Sequence, residues 1–226
     1  MTEAREADQQ LIEAVDRGHV EVVRHLIDAT PALAEAHDSD GVPLLLRALY
    51  RGQAEIADVI AERRTHFDVL EASALGRADE LRRLLENDST AVAERSADGF
   101  TPLHYAAFFD RPEAAAALLA HGADVDAEAV NPTRVRPLHS AAASRSLAVC
   151  RRLLEAGADP NRQQRGGFTA LHGAALHGDA ALVELLLEAG ADPGIPAEDG
   201  RTAADFAAEG GHNGIEQRLR TPPHRP

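Results

Sequence analysis

The chain of 226 residues contains no lysine, no tryptophan, one cysteine and one methionine. The lone thiol, Cys150, excludes an internal disulfide and a thiolate metal cluster. No stretch approaches the ~18 consecutive apolar residues that span a bilayer. Met1 to Gln10 is polar and acidic and lacks the apolar centre of a secretory signal, so the expectation is a cytoplasmic protein. Aromatics are scarce at 4%, but apolar residues reach 44% and charged ones 27%, which sets aside wholesale disorder. Every cation is Arg: 23 of them face 37 acids, for a net charge of -14. Replacing phosphate counterions takes cations, so this balance argues against nucleic acid and anionic membrane as partners. The same field favours partners with a basic surface.

What the chain does have is alanine and leucine, short side chains suited to closely packed helices, and it has them in repeats. DGFTPLHYAAFFDRPEAAAALLAHGAD runs from Asp98 to Asp124, and RPLHSAAASRSLAVCRRLLEAGAD from Arg136 to Asp159. GADPNRQQRGGFTALHGAALHGDAALVELLLEAGAD follows from Gly157 to Asp192. Weaker copies lie on both sides. With the short turn between two helices as marker, Gly18, Gly52, Gly76, Asp110, Arg145, Gly178 and Gly211 are spaced by 34, 24, 34, 35, 33 and 33 residues. Such a period is the signature of a stacked-repeat architecture.

These stretches resemble the ankyrin repeat, G-x-T-P-L-H-x-A-A closing on L-L-x-x-G-A-D, in a bacterial-type protein of about seven units. The resemblance implies an all-α fold: an ankyrin-repeat solenoid of stacked helix-turn-helix units with projecting β-turn fingers. One domain is expected over 1–222, with units at about 8–39, 40–64, 65–97, 98–130, 131–165, 166–198 and 199–220, then a short disordered tail at 221–226. Thr101 and Thr169 stand where a hydroxyl caps the first helix, and Pro102 where a missing N–H costs nothing. Gly122, Gly157 and Gly190 end second helices in the left-handed conformation. The 24-residue step leaves no room for a finger, so Glu62 to His66 is predicted to join two units through a tight helical corner. Asn131 to Arg134 lengthens one finger by two residues. Leu46 and Asp205 replace the usual His, and Arg218 and Arg220 replace outer-helix Leu, as suits a terminal cap.

No catalytic constellation emerges: there is no nucleophile elbow, P-loop or dinucleotide fingerprint, and no cofactor is expected. His104, His139 and His172 recur at one repeat position on successive helices ~8–10 Å apart, too far for neighbours to share an ion at ~2.0–2.1 Å. In the family this His orients the finger by bonding to nearby backbone. Cys150 occupies the apolar position that Val183 fills one unit later, and reads as an inert core thiol.

The resemblance also implies a non-catalytic protein–protein interaction module that takes a partner protein on its concave face and fingers. The variable positions there hold Tyr50 and Arg51, then Asp98, Phe100, Phe108 and Phe109, then Arg165, Phe168, Leu176 and His177. Clustered exposed aromatics are the composition of a binding hot spot. Arg134, Arg136, Arg162 and Arg165 form a basic island near the fifth and sixth fingers. The chain is expected to be monomeric on its own. The alternatives are a self-associating scaffold subunit, which light scattering over a concentration series separates, and a His-based metal or enzymatic protein, which elemental analysis tests.

Overall fold

A computed structural model describes residues 2–221, with side chains from residue 7 onward. The expected tail at 221–226 lies, Thr221 apart, outside the described residues. The described residues form fourteen α-helices and three short 3₁₀ turns joined by loops, with no strands among them. The helices fall into pairs: α1 (Thr2–Arg17) with α2 (Val20–Ala29), α3 (Leu44–Tyr50) with α4 (Ala54–Arg63), and α5 (Val69–Leu75) with α6 (Ala78–Asn87). Then follow α7 (Pro102–Phe108) with α8 (Pro112–Ala120), α9 (Pro137–Ala143) with α10 (Leu147–Glu155), α11 (Ala170–Leu176) with α12 (Ala180–Glu188), and α13 (Ala203–Glu209) with α14 (Asn213–Arg220).

The first helices of the pairs pack one on the next in a continuous inner row from α1 to α13. From α3 on they have only seven residues each. Two turns are too short to hold in water alone, so these helices exist because neighbours bury their faces. Ala106, Ala107, Ala141, Ala174 and Ala175 are fully or almost fully buried, and their small size lets the rows close up. Leu81, Leu118, Leu153 and Leu186 of the outer helices fill the space between rows. Cys150 is equally buried, and burial pushes its thiol up to about 12, which leaves it unreactive.

All seven turn markers adopt positive φ, from 53° at Asp110 to 77° at Gly76. Glycine tolerates this region freely, whereas a Cβ is strained there. Asp110 is compensated by a hydrogen bond from the Ser146 hydroxyl. Arg145 has only an exposed contact with Asp179 at 3.3 Å, and such pairs contribute little. Arg145→Gly is therefore expected to stabilise the protein by about 0.5–1 kcal/mol, read as a higher urea midpoint with unchanged slope.

Between pairs the chain projects as fingers that pack on one another. The Val130 N–H donates to the Gly99 carbonyl at 3.0 Å and the Glu198 N–H to the Gly166 carbonyl at 2.9 Å. Gly99 is required by this approach, because a Cβ there would stand 2.4 Å from the Val130 oxygen. The lengthened finger is tied down by Asn131, whose side-chain amide donates to the Asp98 carbonyl at 2.8 Å.

Between α4 and α5 there is no finger, as the 24-residue step predicts. Five residues turn the corner, and Asp68 starts α5 by accepting the Glu71 N–H at 2.7 Å while its own N–H donates to the Glu71 carboxylate. Behind it the Arg64 guanidinium pairs with Glu71 and, at 2.6 Å, with Glu35. The Arg64 and Glu71 side chains are only 8% and 2% exposed. Arg77 stacks on Phe67 at 4.1 Å and completes the corner.

Candidate functional site

In the four inner helices from α7 to α13 the fourth residue lines the concave side. Counting from the helix starts, that residue is Tyr105 in α7, Ser140 in α9, Gly173 in α11 and Phe206 in α13. Two aromatic positions therefore bracket two that carry almost no side chain, and the difference opens a recess of about 520 Å³. Of the six Phe and two Tyr in the chain, all but Phe67 line it.

The aromatic residues form two groups at the ends of the recess. At one end Tyr50 lies 5.3 Å from Phe109 and 6.1 Å from Phe108 between ring centres, and Phe108 meets Phe109 edge-on at 5.2 Å. Phe100 meets Tyr105 edge-on at 6.5 Å. At the other end Phe168 and Phe206 meet edge-on at 5.5 Å, with His172 beside both. Edge-on contact places ring hydrogens against ring faces, the favoured arrangement of aromatic quadrupoles. Tyr50 and Phe108 are each 43% exposed and form the lip.

The three repeated histidines sit beneath this surface. The Thr101 N–H and hydroxyl both lie within hydrogen-bond reach of His104 Nδ1, at 3.2 and 2.8 Å. A backbone N–H can only donate, so Nδ1 accepts and the proton sits on Nε2. That N–H then donates to the Val135 carbonyl at 3.1 Å, in the finger of the next unit. His139 repeats the arrangement with Arg136 N–H and the Phe168 carbonyl. An imidazole, not the usual carboxylate, thus completes the cap at the helix start. Burial holds both rings neutral and lowers them to about 4; His172 is lowered by the same cause. In α13 Asp205 takes this place, accepting the Thr202 N–H and hydroxyl at 2.9 Å each. It has no second nitrogen with which to reach onward.

Of the residues singled out from the sequence, Tyr50, Phe100, Phe108, Phe109, Phe168, Leu176 and His177 come together around the recess. Arg51, Asp98 and Arg165 are not among its lining residues. Arg51 turns to Asp16 at 3.1 Å, the Asp98 carboxylate accepts the Ser96 hydroxyl within its own finger, and the Arg165 N–H bonds the Thr133 carbonyl. Tyr105 and Phe206 also line the recess and are not among the variable positions named from the sequence; alignment of fourth residues unit by unit is the signal that finds them. The basic island is internally neutralised in large part: Arg134 and Arg136 share Glu128 at 2.6 and 2.7 Å, and Arg162 meets Asp159 at 3.3 Å. The outer-helix Arg218 makes a two-pronged pair with Glu184 at 2.8 and 2.9 Å. Among the described residues no group of three or more His, Cys, Asp or Glu is placed to hold a metal ion, and no helix is long and apolar enough to cross a membrane.

Helix pairs in two stacked rows, joined by fingers and lined by a repeated His at the inner helix starts, define a helical repeat solenoid. Residues 138–187 match the family model for ankyrin repeats in many copies, and residues 98–129 match that for the ankyrin repeat. The chain belongs to the ankyrin-repeat family. It is 31% identical over 159 residues to the ankyrin repeat domain-containing protein SAT10 of Stachybotrys chartarum, across 68% of this chain and 8% of that protein. It is also 36% identical over 100 residues to the human BCL-6 corepressor-like protein 1, across 44% of this chain and 6% of that one. The chain thus spans a small fraction of the length of these relatives. Ankyrin repeats generally mediate protein–protein interaction, and the family is typically non-enzymatic.

Proposed function

We propose that this chain is a non-catalytic interaction module that holds a partner protein against the inner helices and fingers of its concave face. The observation that carries this reading is the concentration of nearly all the aromatic residues of an aromatic-poor chain along one recess, with Tyr50 and Phe108 exposed at its lip. Large, rigid, partly exposed rings supply contact area at little entropic cost. The net charge of -14 favours a partner whose surface is basic around an apolar patch. A monomeric cytoplasmic protein is the accompanying reading.

Replacing both Phe108 and Phe109 with alanine should abolish recovery of the protein that co-purifies with the wild-type chain. Phe108→Ala alone should leave the thermal midpoint within a few degrees, because that ring lies outside the buried core, while the double variant should fall further but stay folded, because Phe109 is partly buried against the core. Full recovery of the same partner by the double variant would place the interface elsewhere.

A further inference from the structure

We propose that the recess between α7 and α13 is also a binding site for a small molecule: a compact, uncharged ligand with a flat aromatic or polycyclic skeleton. The site shares aromatic residues with the surface proposed to hold a partner protein, but its floor at Ser140 and Gly173 is separate from the exposed lip, and it needs no partner to operate.

The starting point is Gly173, at the centre of α11. Glycine is the poorest helix former short of proline, and the fold has uses for it where φ is positive or where another backbone comes close. Neither applies to Gly173. Its φ is not in the left-handed region, and a Cβ built on it would meet nothing within 4 Å. No packing contact requires its small size. What the glycine does is leave the floor open, and Ser140 does the same at the matching place in α9. Larger residues at these two positions would fill the space that Tyr105 and Phe206 bracket.

The volume and chemistry of the space define what enters it. About 520 Å³ lies within the ~300–1,000 Å³ of ordinary small-molecule pockets. Among its lining residues none carries a formal charge apart from histidine, and burial keeps His104, His139 and His172 neutral. Apart from the exposed His177 at its edge, the recess offers an ionised ligand no counter-charge to replace its hydration. The ring nitrogens of His104 and His139 are already engaged with backbone; His172 Nδ1 is held by Thr169, with its hydroxyl at 2.8 Å, and only His172 Nε2 is left buried without a partner. An entering stretch of polypeptide would bring N–H and C=O groups with few partners left to meet them. A free apolar skeleton brings none, and the aromatic groups at the two ends offer it ring faces and edges.

The test uses the neutral fluorophore N-phenyl-1-naphthylamine with the full chain. The expected result is saturable binding of one probe per chain, together with a rise in thermal midpoint as probe is added. The anionic probe 1-anilinonaphthalene-8-sulfonate should bind more weakly. Gly173→Leu, and independently Ser140→Leu, should weaken binding of the neutral probe at least about tenfold, a readable change in free energy. Without probe, the Gly173→Leu chain should melt at the same temperature or higher, since Leu is the better helix former and meets open space. Gly173→Ala adds a single methyl group and should give an intermediate affinity. Non-saturable uptake by the wild-type chain, or undiminished affinity in a folded Gly173→Leu chain, overturns the proposal.

Discussion

Replacing Arg64 with alanine is expected to cost about 3–5 kcal/mol at pH 7.5, a large fraction of the stability of an ordinary domain. Arg64 is the partner of Glu71 at the fingerless corner, and both side chains are almost wholly buried. Burial, joined by the nearby Asp68 charge, already raises Glu71 above the usual carboxylate range, and Arg64 is the group that opposes this. Without the guanidinium, folding must either bury an unpaired carboxylate or force it to take a proton. The direction with pH follows. An acid whose folded-state value is raised binds more protons folded than unfolded, so stability falls as pH climbs through that value. The deficit of Arg64→Ala should thus be greatest at neutral pH and shrink as pH falls, vanishing as a charge effect only below about 4, where Glu71 is protonated in both states. Urea unfolding of both chains across this range measures it. Adding Glu71→Gln to the variant should recover part of the loss at pH 7.5 and flatten the pH dependence. A deficit that is constant with pH would mean that lost packing against Phe67 and Glu35, not the charge on Glu71, is what the arginine supplies.

A second large effect belongs to the histidines at the inner helix starts. His104 and His139 are lowered by burial to about 4, while an unfolded imidazole titrates near 6.5. The unfolded chain therefore gains protons first as pH falls. The stability that depends on neutral rings is fully present above about pH 6.5 and is lost progressively down to about 4. At pH 5 the expected loss is about 2 kcal/mol per histidine. Asp38, where burial pushes up but hydrogen bonds from backbone and Arg47 outweigh it, and Asp205, held by the Thr202 N–H and hydroxyl, stay below the ordinary carboxylate range and act outside this window. Gln at both histidine positions keeps an acceptor and a donor but does not titrate. The double variant His104→Gln/His139→Gln should lose some stability at pH 7.5 through imperfect geometry. Between pH 6.5 and 4.5 it should show a much shallower decline in urea midpoint than the wild type. Equal slopes would assign the acid sensitivity to other groups.

The repeat was legible in the sequence because each unit solves the same problem with the same residues. The turn markers read from spacing fall on positive φ, including Asp110 and Arg145, where no glycine announces the turn. The missing finger was legible as a shortened step, because backbone must travel a minimum distance to project and return. The ion pair behind that corner was not. Arg64 and Glu71 look like surface charges in a linear reading, and only the packing of α5 against the preceding turn removes them from water.

The binding face was legible in part. Exposed aromatics at variable positions mark Tyr50, Phe100, Phe108, Phe109 and Phe168, and these do share one recess. The recess itself arises from what adjacent units do differently at one register position. Ser140 and Gly173 draw no attention alone, and Tyr105 and Phe206 pass for core. Arg51 faces a rival acceptor, Asp16 of the preceding pair, and no pattern within its own unit reveals that.

The imidazole bonds run one way. His104 fastens the finger that precedes α9, and His139 the finger that precedes α11; within its own unit each ring holds only the residue that starts its helix. Order in the projecting loops is consequently handed from lower to higher residue number, like roof tiles each pinned by the course before. A lesion at one helix start is therefore felt first by its downstream neighbour. At His172 that relay of anchorage already stops, because its Nε2 is buried without a hydrogen-bond partner, and Asp205 in α13 has no nitrogen to offer.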